Sequence, residues 1–241
     1  MIFFNNNFAP VRIFSLGIQS IFSNPKAALY SLKSGQLESD QIKQLKNENS
    51  DLKKKIIEYE SIKRDNEALR SQFETAAADE YKIMPAKIIG FLGTYSAPAS
   101  FILDQGVQNG IKSGMAVVMQ NNLVGKINKV DQLTSQVTLV TDPDFSALAK
   151  TSDGKASGIA KGNEDFILLD RVSINDTLSK GILLLSTGDI NGQGVGMPPD
   201  FVIGKIVSVN RSPSLPLQTA KVQSELNFNR LETVFIITGI K

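Results

Sequence analysis

The 241-residue chain contains no histidine, no cysteine and no tryptophan. Without histidine there is no Ser-His-Asp triad, no imidazole base working near neutral pH and no imidazole metal ligand. Without cysteine there is no thiolate nucleophile, disulfide, zinc knuckle or iron–sulfur cluster. That second absence is compatible with cytosol and cell envelope alike. Charge of one sign is not in excess either, with 26 basic residues against 24 acidic ones. A general nucleic-acid binder needs a clear basic excess, so that class is disfavoured. Long apolar runs are missing too. The leader MIFFNNNFAPVRIFSLGIQSIF is interrupted by Asn5, Asn6, Asn7, Pro10 and Arg12. Its longest clean run is too short for a transmembrane helix of about 20 residues. It also lacks the charged-then-apolar order and small-residue cleavage site of a secretory signal.

What is present is a chain that is 41% hydrophobic and long enough for one or two domains with a real core. Its charge is unevenly spread: residues 1–35 carry a net +3, residues 36–82 a net −2 and the remainder +1. Residues 1–35 therefore read as a basic, membrane-proximal leader. Within it Ile13, Phe14, Ile18, Ile21 and Phe22 fall roughly on one helical face. That suits an interfacial helix, a helix packing on its own copy, or a segment just after a membrane span. Asn24-Pro25 reads as an N-cap followed by proline at the first helical position.

Residues 36–84 carry the clearest local pattern. Ile42, Leu45, Asn49, Leu52, Ile56 and Tyr59 alternate by three and four, the seam of a coiled coil. The seam resumes one residue early at Ile62, Asn66, Leu69 and Phe73, a slip that locally overwinds a supercoil. Asn49 and Asn66 are polar seam residues of the kind that fix register at some cost in stability. The alternative is one amphipathic helix packed on its own body. Nearly fifty helical residues at 1.5 Å each, however, run to about 70 Å, more than the width of a domain this size. Self-association through the seam is therefore expected, with Pro85 closing the helix.

Beyond Pro85 the pattern changes to short β-rich runs. Twelve are expected as strands: 87–92, 100–104, 115–120, 123–130, 136–140, 146–150, 157–161, 166–172, 182–186, 201–209, 220–224 and 233–238. Turn pairs such as Asn109-Gly110, Asp142-Pro143 and Asp153-Gly154 separate them. Glycines within or beside strands (Gly125, Gly158, Gly204) suit the tight bends of small barrels. The expected class is mainly β with a long N-terminal helix: a parallel coiled coil followed by two small six-stranded β-barrels. One barrel is expected from residues 99–162, inserted into a second built from 85–98 plus 163–241.

Little of the familiar chemistry of active sites finds its residues. Gly106, Gly110 and Gly114 lack the Lys-Ser/Thr of a phosphate loop and lead into a strand, so they read as turn glycines. Asp142, Asp144 and Asp153 offer too few carboxylates at ligand spacing for a hard cation. Asp170 with Asp189 is the residual candidate pair for acid–base hydrolysis, but both sit where strand ends normally carry acids. No enzyme, cofactor or metal is expected.

The run ILDQGVQNGIKSGMAVVMQNNLVGKINKV (102–130) resembles the MreC family of bacterial rod shape-determining proteins. Asp104, Gly106, Gly110, Ile111, Gly114, Met115, Val117, Val118, Leu123, Val124 and Gly125 carry the likeness. Leu139, Thr141 and Asp142, the stretch SGIAKG (157–162), Gly188, Pro198 and Gly204 are similar in order. KNENSDLKKKI (46–56) is similar to the family's coil through Glu48, Asn49 and Leu52. The family usually has Thr-Ser before Gly188, where this chain has Ser186-Thr187, and glycine at the position of Asp200. The resemblance implies a non-enzymatic scaffold of the cell-wall elongation machinery, a homodimer or larger self-assembly. It implies as partners a penicillin-binding transpeptidase, the membrane protein MreD and, indirectly, an actin-like filament system. It also implies the extracytoplasmic face of the cell membrane, with the span expected just before this chain's start. The competing class is a periplasmic adaptor of a secretion or efflux complex, which normally shows two coil segments flanking a lipoyl-like domain.

Overall fold

A computed structural model describes residues 25–73, 80–93, 98–212 and 214–241. The chain divides into two compact units, residues 1–62 and 63–241. The described part of the first is helical and belongs to α1, described over Pro25–Phe73. From Gln41 to Glu60 every residue of it is exposed. The expectations for residues 1–24 lie outside the described residues. Among the described residues no helix is long and apolar enough to cross a membrane.

The second unit holds the last turns of α1 and twelve strands, at the twelve places expected. They are β1 (Tyr81–Gly93), β2 (Pro98–Leu103), β3 (Ala116–Met119), β4 (Asn122–Val130), β5 (Ser135–Leu139) and β6 (Ser146–Thr151). Then come β7 (Ser157–Asn163), β8 (Phe166–Ser173), β9 (Leu183–Ser186), β10 (Val202–Asn210), β11 (Leu217–Gln223) and β12 (Thr233–Ile240). Two expectations are corrected at the start of this unit. Segment 36–84 is not helical throughout, since β1 starts at Tyr81. Pro85 therefore does not close the helix. It lies inside β1 opposite Phe235, and a strand admits proline wherever the ladder does not call on its missing N–H.

The pairings form closed circuits. Antiparallel neighbours run β12–β1–β2–β5–β4–β3 and back to β12, a six-stranded β-barrel. A second antiparallel circuit runs β11–β8–β7–β6–β9–β10 and back to β11. This corrects the expected division of the chain. β6 and β7 belong to the second circuit, while β1 and β12 complete the first, so the later circuit is the insertion. The reason lies in β12, whose residues pair with β1 across about 150 positions of sequence, a partnership that no local signal announces.

Closure removes the exposed sheet edges that invite misassociation. Inside the barrel Phe101, Leu103, Val117, Val124, Ile127, Val137, Leu139 and Ile236 form one apolar cluster. Their neighbours Val118, Leu123 and Phe235 point the other way, into a second cluster centred on Phe145, Ile167, Leu169, Leu184 and Ile203. Strands β3 and β12 are thus buried on both faces, which is why they read as continuous apolar runs instead of alternating ones, and β4 shares this only over Leu123–Gly125. A parallel bridge from Val202 to Asn122 joins the two circuits, and Met115 makes further isolated bridges to Val195 and Gly196.

Candidate functional site

The helix offers the most apolar surface to solvent. Ile42, Leu45, Leu52, Ile56 and Tyr59 are between 53% and 69% exposed, with Asn49 exposed among them. Each large aliphatic side chain moved from water into an apolar contact contributes about 1.5–3 kcal/mol. A helix in water draws most of its stability from such packing. The seam is therefore a surface that physical chemistry expects to be covered. Ile62 is exposed as well, at 58%.

Past Ile62 the side chains behave differently. Leu69 packs against the second apolar cluster, Gln72 is fully buried and Asn66 is exposed. The seam residues Asn66 and Leu69 therefore do not share an environment. Asp65 accepts an ion-pair hydrogen bond from Lys87 Nζ at 2.6 Å and a second bond from Thr233 Oγ1 at 2.9 Å. The hydrogen bond from Lys87 holds the Asp65 carboxyl below the usual carboxylate range, and the same bond pushes the Lys87 ammonium above its ordinary value. Arg64 Nε donates to Glu232 Oε2 at 3.0 Å. Gln72 makes a paired contact with the backbone of Gln120: its Oε1 accepts from the Gln120 N–H at 2.6 Å, and its Nε2 donates to the Gln120 carbonyl at 3.3 Å. Gln120 heads the tight turn between β3 and β4 with a left-handed φ of 54°. Sequence reading missed Asp65 and Gln72, because both sit in a charged, polar stretch that reads as a solvated face.

The turn residues lie around the circuits. Gly106 precedes a single 3-10 turn (Val107–Asn109), and Gly110 ends it with φ 80°. Gly114 and Gly188 also adopt positive φ. Gly125 on β4 and Gly204 on β10 lie too close to the backbones of Thr138 and Gln223 for a Cβ to fit without a shift. The Pro198 carbonyl accepts a bond from the buried Ser186 hydroxyl at 2.5 Å. Asp200 stands where the resemblance implies glycine, and it has a left-handed φ of 64°. The candidate acids are occupied with structure. Asp142 accepts from the Asp144 N–H at 2.8 Å, and Asp170 accepts from Lys161 Nζ at 2.9 Å. Among the described residues no group of three acids is placed to hold a metal ion.

Residues 94–238, more than half of the chain, match the family described as "Rod shape-determining protein MreC, barrel core". The chain belongs to the MreC family. The cell shape-determining protein MreC of Haemophilus influenzae is 23% identical over 231 residues, covering 92% of this chain. The chain spans 63% of that relative's length. A solved MreC structure superposes with a TM-score of 0.61 at 22% identity, covering 73% of this chain and 99% of the other. The complex between Penicillin-Binding Protein (PBP2) and MreC from Helicobacter pylori gives a TM-score of 0.51 at 11% identity, covering 65% of this chain and 98% of the matched one. These structural likenesses establish the shared six-stranded barrel. MreC is a family of structural, shape-determining proteins and not a known family of enzymes.

Proposed function

We propose that this chain is a non-enzymatic scaffold of the cell-wall elongation machinery. In this role it maintains rod shape by pairing with itself and holding peptidoglycan-synthesis proteins on its β-circuits. The observation that carries the reading is the exposed apolar seam Ile42–Tyr59 on a helix that leads into an MreC barrel core. In a parallel, in-register pair, Glu48 of one copy meets Lys53 of the other, and Lys55 meets Glu60, so the flanking charges attract. Asn49 opposite its own copy fixes that register. The second circuit of strands is read as a second small barrel. A penicillin-binding transpeptidase is the enzyme partner, by analogy with the Helicobacter pylori complex of PBP2 with MreC. An MreD-like membrane protein and, through the membrane, the actin-like filament system complete the expected set. The extracytoplasmic face of the cell membrane is the expected place of action. Tethering two copies raises the effective concentration of the second binding site without any new contact.

Light scattering on the double variant Leu52→Asp, Ile56→Asp tests this reading. The parent chain is expected to be a dimer and the variant a monomer with its β-circuits intact. A variant that stayed dimeric would remove the seam as the association surface.

A further inference from the structure

Continued without the slip, the heptad frame of Ile42–Tyr59 would next place Lys63, Asn66 and Arg70 in the seam. All three are polar or charged, and all three are exposed. The residues that turn inward instead are Asp65, Ala68, Leu69 and Gln72, spaced i, i+3, i+4 and i+7, one helical face in their own right. That face is bound by Lys87, Thr233 and the backbone of Gln120. Every partner in this set belongs to the six-stranded barrel.

We propose that the heptad slip at Tyr59–Ile62 is where the helix changes partner. Up to Tyr59 its apolar face serves a second copy of this chain. From Lys63 it serves its own barrel, with Asp65 and Gln72 as the positioning residues that end the coil. The chemistry on the two sides differs accordingly. The first face is aliphatic with a single asparagine, suited to a copy of itself. The second is a set of directed polar bonds, which only one fixed partner geometry satisfies. Gln72 gives the left-handed Gln120 backbone the paired donor and acceptor that a neighbouring strand would otherwise supply. The fully buried amide thus fastens the helix to the β3–β4 turn. The pairing half of this inference rests on the scaffold reading above; the docking half does not.

The test uses the full chain and two readouts, the mass by sedimentation equilibrium and hydrogen exchange at the Gln120 amide. Leu52→Asp with Ile56→Asp should halve the mass and leave Gln120 exchange unchanged. Gln72→Ala should leave the mass unchanged and speed Gln120 exchange roughly tenfold, the ratio expected for one buried hydrogen bond. Asp65→Asn, a milder change that keeps the shape, should act in the same direction to a smaller degree. If Gln72→Ala or Asp65→Asn weakened dimerisation as strongly as the seam variant, one continuous coil would run to Phe73 and the proposal would fall. A parent chain that is monomeric would overturn the scaffold reading, and with it the pairing half. Gln120 exchange indifferent to Gln72 would overturn the docking half alone.

Discussion

At the scale of the residue, Asp200 shows how a local rule can be broken and tolerated. A side chain in the left-handed region costs about 1–2 kcal/mol, less for aspartate and asparagine than for other residues. Asp200 occupies such a conformation where the family resemblance implies glycine. Its carboxylate meets Lys150 at 2.8 Å, but both side chains are more than a third exposed. A pair of that kind contributes little. Asp200→Gly is therefore expected to stabilise the fold by about 1 kcal/mol, read as a raised midpoint of thermal unfolding. Asp65 carries the opposite lesson, since its ionised form is what the fold selects. Its pKa is lower in the folded state than in the unfolded chain, so its contribution is present above the ordinary carboxylate range. It is lost as pH falls below about 3.9. Lys87, raised by the same bond, keeps its share until pH exceeds its ordinary value in the alkaline range. Thermal midpoints measured between pH 6 and pH 3 should fall, and Asp65→Asn should make that fall shallower.

At the scale of the element, β12 is the clearest case of one strand serving two cores. Phe235 enters the second cluster and Ile236 the barrel interior, both fully buried. Phe235→Ala is expected to cost about 3–5 kcal/mol and Ile236→Ala about 2–5 kcal/mol. Denaturant titration should show both costs at similar size. A strand with one solvent face would lose stability at only one of the two positions. This arrangement also marks what the sequence makes legible. The strands announce themselves as short runs rich in aliphatic or β-branched residues between turn residues, so all twelve are readable in place. Membership of a circuit is not readable, because it depends on the pairing of Tyr81–Lys87 with Thr233–Ile240, far apart in the chain. The point at which α1 turns from its seam to the barrel is hidden for a related reason. Pro85 is the only strong breaker nearby, and the tertiary partners of Asp65 and Gln72 leave no periodic trace. The seam itself is plain, because period 3.5 needs no tertiary context to be seen.

At the scale of the whole molecule, the absence of histidine and cysteine acquires a structural counterpart. The candidate acids for a cation or for acid–base hydrolysis are tied into local structure: Asp142 accepts from the Asp144 N–H, Asp189 from the Met197 N–H and Asp170 from Lys161. Where the helix meets the barrel, Asp65 and Gln72 each make two directed side-chain bonds. These bonds sit at a junction between elements, which is where the proposed scaffold role would need them.

The interleaving of the two circuits has a consequence for time. All strands of the second circuit lie within residues 146–223, so it can close as soon as that stretch is available. The barrel that precedes it in sequence must wait for Thr233–Ile240, about 150 residues after its first strand. Contacts of such long sequence separation are slow to form, because loop-closure entropy is lost before the contacts return anything. The segment made first is thus the last to find its mate. Until β12 arrives, β1 and β3 hold unpaired flanks that a cell must shield from other chains.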